Sequence, residues 1–181
     1  MVRENDIVFR EVQRFGVGFR WLFVLLMLAM VGAVFSGTVN IIQGSFDALR
    51  LIISIALGVV LPLGIAALFF TAKLETEVRS DGLHVRYFPF HLDFRRFETK
   101  DIGECYARTY KPLLEYGGWG IRCGFKGRAY NVSGNQGVQL VFNDGKRLLI
   151  GSQKPDELEA AIRSIVLMRL VRQSGFPYPY F

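Results

Sequence analysis

The chain has 181 residues, enough for one small domain beside any membrane segment, and carries a net charge of +6 with 51% apolar residues. That excess, drawn largely from 17 Lys and Arg against 12 Asp and Glu after residue 72, is too mild for a nucleic-acid-binding protein. Two cysteines, Cys105 and Cys123, exclude a disulfide framework and a cysteine-rich metal site, and they read as buried thiols.

Residues 1–20 set Arg3, Arg10, Arg14 and Arg20 against Glu4, Asp6 and Glu11, with Ile7, Val8, Phe9, Val12, Phe15 and Phe19 interleaved. The mixture predicts an amphipathic helix lying on a membrane surface. Its three acids, and the lack of a small-x-small cleavage site, argue against a secretory signal.

No charged residue lies between Arg20 and Asp47, or between Arg50 and Lys73. A span needs roughly 20 apolar residues, because a helix rises about 1.5 Å per residue through a core about 30 Å thick. Residues 21–72 therefore predict a transmembrane helical hairpin, with spans at about 21–42 and 51–70, a short connector from Asn40 to Leu49, and Trp21 at the interface. Small residues recur at helical spacing in both spans: Ala29, Ala33 and Gly37 in the first, Ser54 and Gly58 in the second, followed by Pro62. Paired as Gly37 with Ser54, Ala33 with Gly58 and Ala29 with Pro62, the numbers of each pair add to 91, as equal depth in an antiparallel pair requires. The two small faces are expected to pack together. Pro62 removes a backbone donor in mid-span and predicts a kink. Neither span holds an ionisable side chain, which argues against a transporter or channel subunit. The Lys and Arg bias of the flanks predicts that both termini lie in the cytoplasm.

From Leu74 the apolar period changes to two. Leu74, Thr76 and Val78, then Leu83, Val85 and Tyr87, flank Ser80-Asp81-Gly82 as a hairpin. Phe90 to Phe97 and Gly103 to Tyr110 supply further strands. The stretch Tyr116 to Phe125 alternates Trp119, Ile121, Cys123 and Phe125 with Gly120, Arg122, Gly124 and Lys126, and reads as a coiled strand with Trp119 as a core plug. Arg128 to Val132 and Val138 to Phe142 bracket the turn Ser133 to Gly137, and Asn143-Asp144-Gly145 closes another hairpin onto Lys146 to Ile150. Pro155 opens a helix with Asp156 and Glu157 in its first turn and Leu158, Ala161, Ile162, Ile165 and Met168 on one stripe. The aromatic tail 175–181 cannot continue it.

Several strands and one packing helix beneath a hairpin resemble the bacterial pleckstrin-homology-like domains, over Leu74 to about Val171. The marks are Val78 to Val85, Val138 to Ile150 and Pro155 to Leu158. With Tyr116 to Arg122 and Tyr130 to Asn135, the pattern is similar to an uncharacterised prokaryotic membrane-protein family. The resemblance implies an α+β membrane protein in which an antiparallel β-barrel or sandwich, residues 73–174, is capped by a C-terminal helix. It also singles out Gly117, Gly118, Trp119, Gly120, Asn131, Gly134 and Asn135 as a structural motif. Phosphoinositide-binding members place a Lys and Arg cluster at the first hairpin, where this chain has only Arg79, His84 and Arg86.

Cys105, Cys123, His84 and His91 are the candidate nucleophiles and bases, yet no acid is spaced to orient a histidine and no signature surrounds either cysteine. The expectation is a non-enzymatic membrane protein without cofactor or metal, whose domain binds a protein partner or assembles with itself. The alternative is an anionic-lipid-binding module using Arg95, Arg96, Lys100, Arg122, Lys126 and Arg128.

Overall fold

The computed structural model describes residues 7–44, 48–124 and 126–174. It divides into a helical unit, Phe15–Ala72, and a second unit that joins the chain up to Arg14 with the chain from Lys73 onward.

The helical unit comprises α1 (Val17–Gly44), α2 (Ala48–Ile55), a π-helical turn (Ala56–Val60) and α3 (Leu61–Thr71). Helix α1 runs antiparallel to the rest: the Phe23 and Phe69 ring centroids lie 4.5 Å apart, and Arg20 stands 5.7 Å over the Phe70 ring. The π turn accounts for Pro62. Its ring lacks an N–H and crowds the carbonyl of Gly58, and widening the preceding turn relieves both faults.

The small-on-small interface is not what forms. Ala29 and Gly37 are exposed, Ser54 is half-buried, Gly58 and Pro62 are buried, and the Ala33 side chain lies outside the described residues. Val34 fills the space at Gly58, where an added Cβ would stand 2.5 Å from Val34 Cγ1. Val34 with Gly58 and Phe23 with Phe69 are pairs whose numbers add to 92, and Arg20 with Phe70 to 90, so the contacts fall on either side of the expected sum while a branched knob fills the glycine hole. Among the described residues one helix, Ile52–Thr71, is long and apolar enough to cross a membrane, with a shorter apolar stretch at Phe23–Gly37.

The second unit is α+β. Strands β1 (Ile7–Arg14), β2 (Lys73–Arg79), β3 (Gly82–Phe88) and β4 (Arg95–Glu98) form one antiparallel sheet in that order. Residues 7–14 of the N-terminal segment are thus a strand and not an amphipathic helix, while residues 1–6 lie outside the described residues. Ile7, Phe9, Glu11 and Gln13 turn inward while Val8, Arg10, Val12 and Arg14 turn outward, and the run Ile7-Val8-Phe9 blurs that period of two. Its inward polar groups are bonded across the unit: Gln13 Nε2 donates to the Gly151 carbonyl at 2.6 Å, and Ser152 Oγ donates to Glu11 Oε2 at 2.6 Å. Residues 73–174 therefore do not make a complete domain without β1.

Strands β5 (Ile102–Thr109), β6 (Gly120–Gly124), β7 (Gly127–Asn131), β8 (Gln136–Phe142) and β9 (Arg147–Gly151) form the second sheet in the order β5-β8-β9-β7-β6. The short helix α4 (Pro112–Tyr116) links β5 to β6. Two expectations change here. Strands β7 and β8 bracket a turn without pairing, because β9 inserts between them and lies parallel to β7, so the sheet is mixed and not wholly antiparallel. Trp119 is half-buried and not a core plug, and Ile121 and Cys123 are exposed, since β6 is an edge strand.

Helix α5 (Pro155–Ser174) packs on both sheets through Leu158, Ala161, Ile162 and Ile165, whereas Met168 is exposed. These residues join Leu74, Val78, Leu83, Val85, Val138, Leu140 and Ile150 in the core.

Candidate anion-binding groove

Strand β4 of the first sheet faces β7 and the β8–β9 turn of the second across an open groove of about 870 Å³. Phe97 and Phe142 meet at its floor, with ring centroids 5.7 Å apart, and Tyr130 and Leu148 extend the apolar surface. Six cations line it: Arg95, Arg96, Lys126, Arg128, Lys146 and Arg147. The local backbone explains their convergence. Gly127 has φ +108° and approaches β9 so closely that a Cβ would lie 2.4 Å from the Arg147 carbonyl oxygen. That approach opens the parallel pairing, which sets Arg128 opposite Leu148 and next to Arg147.

The cations differ in what they already hold. Arg96 reaches Asp81 at 3.4 Å, Lys126 reaches Glu115 at 3.4 Å and Lys146 reaches Asp144 at 2.6 Å. Arg95 donates to the Tyr130 hydroxyl at 3.2 Å. Arg128 and Arg147 face no carboxylate within ion-pair distance among the described residues. A groove lined by aromatic side chains and by two guanidinium groups without a carboxylate among the described residues suits a phosphate or another oxyanion, because each guanidinium offers donors in a planar fork. His91 sets its ring edge-on to Tyr130 at 5.6 Å; burial, then the charge of Arg95, push its pKa below the usual histidine value, so the ring is neutral near pH 7.

Of the six cations singled out in the sequence, four meet here. Lys100 instead pairs with Glu98 at 2.6 Å, and Arg122 donates to the Trp119 carbonyl at 2.9 Å on the far edge strand. Lys146, Arg147 and Tyr130 were not singled out. The turn Asn143-Asp144-Gly145 marked the two cations as neighbours of a hairpin, but only the parallel strand pair puts that hairpin beside β7.

The glycine-rich motif is a clip. Gly117, at φ +71°, caps α4 by donating to the Leu113 carbonyl at 3.0 Å, and Gly118 donates to the Pro112 carbonyl at 3.0 Å. Gly120 N donates to Asn131 Oδ1 at 2.9 Å, and Asn131 Nδ2 to the Tyr110 hydroxyl at 3.0 Å. Trp119 Nε1 reaches the Gly134 carbonyl and Tyr110 N the Asn135 carbonyl, at 2.9 and 2.8 Å. The clip satisfies buried polar groups and fastens α4 and β6 to the sheet.

The candidate catalytic residues stay apart. Asp81 does orient His84, Oδ1 to Nε2 at 3.0 Å, contrary to the spacing argument, because the hairpin turn folds the acid back over its own strand. Burial pushes the Asp81 carboxyl up, but His84 and Arg96 outweigh it and hold it below the usual value. No hydroxyl or thiol is hydrogen-bonded to that pair among the described residues. Cys105 is buried, and burial raises its thiol above the usual pKa, away from nucleophilic thiolate character; Cys123 is exposed. No three His, Cys, Asp or Glu side chains gather as a metal site among the described residues.

The sequence matches the model of a family of unknown function, DUF6141, over residues 1–168. A search of curated proteins finds no match. The chain belongs to that family.

Proposed function

We propose, with membership of this family as the premise, that the chain is a non-enzymatic integral membrane protein whose pleckstrin-homology-like domain binds anionic lipid headgroups in the basic groove. The observation that carries the ligand class is the pair Arg128 and Arg147, which stand at the groove without a carboxylate partner among the described residues. Each cation near an anionic surface contributes about 1 kcal/mol.

Two features support the membrane part. A helix buried in a soluble core hides its side chains, whereas 11% of the apolar stretch within Ile52–Thr71 is buried, and its Leu57, Val60 and Leu63 stand exposed. The second is topological. Strand β1 precedes the helical unit, β2 follows it, and Arg14 is paired with Lys73. Both flanks of the helices therefore lie on one side of any membrane, so a crossing by Ile52–Thr71 requires a return crossing by α1. A two-span hairpin with both flanks on the cytoplasmic side satisfies this and agrees with the arginine bias of the flanks.

The test uses the full chain in neutral detergent, titrated with dihexanoyl phosphatidylglycerol or dihexanoyl phosphatidylcholine over a salt series. Binding of the anionic lipid alone, fading with salt and weakened in Arg128→Ala/Arg147→Ala, is the expected result. Equal binding of both lipids, or none, overturns the reading. A second reading, self-assembly or capture of a protein partner, draws on the exposed Leu167, Met168, Leu170 and Val171 of α5. A concentration-dependent oligomer abolished by Leu167→Ser/Leu170→Ser is its test.

A further inference from the structure

The β3–β4 loop, residues 89–94, holds two of its three large apolar side chains in water: Phe90 is 62% and Leu92 is 71% exposed, while Phe94 is half-buried. A single exposed leucine means little, but this pair sits on an ordered support. His91 N donates to the Tyr87 carbonyl at 2.8 Å and Arg86 Nη1 to the Leu92 carbonyl at 3.3 Å. The Arg86 guanidinium lies 4.6 Å over the Phe94 ring, and the Phe90 ring stands 6.0 Å from that of Tyr87. The backbone is thus fastened from within the domain while the Phe90 and Leu92 side chains stay largely exposed.

Two further observations say what covers them. The loop borders the basic groove, since His91 rests on Tyr130 and Arg95, the first residue after the loop, bonds the same tyrosine. The loop also leaves the sheet at a particular end. Phe88, the last residue of β3, is paired with Lys73, and Lys73 with Arg14, so the loop starts where the chain passes into and out of the helical unit. Apolar side chains beside unpaired cations, at the end of a sheet tethered to apolar helices, match a bilayer that carries anionic headgroups over acyl chains.

We propose that the 89–94 loop is a membrane wedge, with Phe90 and Leu92 entering the bilayer interface of the membrane the helices cross while the adjoining groove holds anionic headgroups. The inference rests on the lipid reading above and adds a contact of different chemistry.

The experiment uses the full chain, reconstituted in vesicles of phosphatidylcholine alone or mixed with phosphatidylglycerol. A nitrobenzoxadiazole label is placed at Leu92→Cys in a Cys123→Ser background, and quenching by doxyl groups on the acyl chains is read. Leu92 is exposed, so the substitution leaves the core untouched. Ser80→Cys, in the turn at the opposite end of the same sheet, is the control. Strong quenching at residue 92 and none at residue 80 is expected in the mixed vesicles, with loss of quenching when Phe90→Ser is added. Quenching at 92 in both vesicle types upholds the wedge but removes the headgroup reading as its cause. No quenching at 92 in either, while the detergent titration still detects phosphatidylglycerol, overturns the wedge and leaves the groove intact. A label at 92 that is shielded from aqueous iodide yet untouched by doxyl lipids also overturns it, in favour of a protein cover.

Discussion

Glu75 and Glu77 of β2 each stand between two cations, whereas Arg128 and Arg147 at the groove face no carboxylate among the described residues. Lys73 reaches Glu75 at 2.6 Å while Arg86 Nε donates to it at 2.7 Å, and Arg10 and Arg79 converge on Glu77 at 3.3 and 3.0 Å. Both carboxylates are almost wholly buried, so their cations act as internal counter-ions and are unavailable to a ligand. At the groove Arg96, Lys126 and Lys146 also hold carboxylates, and only Arg128 and Arg147 among the described residues have neither a carboxylate nor a hydroxyl partner. The difference lies in where the carboxylates fall, so a count of lysines and arginines says little about binding until each has been matched with its partner.

Breaking the saturated side should cost stability and leave binding alone. Glu75→Ala strands Arg86 and Lys73, and should destabilise the full chain by about 2–3 kcal/mol, read by thermal unfolding in detergent. A variant as stable as the parent would remove the counter-ion role. Breaking the open side should do the reverse. Arg128→Ala/Arg147→Ala should weaken phosphatidylglycerol binding by roughly 30-fold at low salt, from about 1 kcal/mol per cation, with no fall in unfolding temperature. A large fall in that temperature would show the arginines to be structural.

Acid should weaken the saturated side. Burial pushes the Glu75 carboxyl up, but hydrogen bonds from Lys73 and Arg86 outweigh it and hold its pKa below the ordinary 4.5. A depressed folded pKa gives stability that is complete above the unfolded value and lost as pH falls through the folded one. Unfolding temperature should therefore drop on acidification below about pH 4.5, with a shallower slope in Glu75→Ala. An unchanged slope would assign the acid transition to other carboxylates. The smallest effect is expected at Lys100, already paired with Glu98 on the surface: Lys100→Ala should alter neither binding nor stability measurably. Lost binding there would enlarge the site beyond the groove.

Much of the strand pattern was legible because it is local. The β2–β3 and β8–β9 hairpins follow alternation and Asp-Gly turns, and α5 follows its Pro155 opening and apolar stripe. Strand β1 was read as a helix because consecutive apolar residues hide its period and its pairing partner lies beyond the whole helical unit. The groove was half legible. Arg95, Arg96, Lys126 and Arg128 stand out as charges in the sequence, but nothing near them marks Lys146 and Arg147 as neighbours.

Composition and spacing alone determined that two charge-free apolar stretches precede a domain of short strands and one packed helix, since hydropathy and period are properties of neighbouring residues. Which cations stay unpaired, which strand completes the first sheet and which loop stands at the chain's two junctions were decided by tertiary structure. Each depends on a pairing between distant segments, β1 with β2 or β7 with β9, and a contact of that range leaves no periodic trace in either segment.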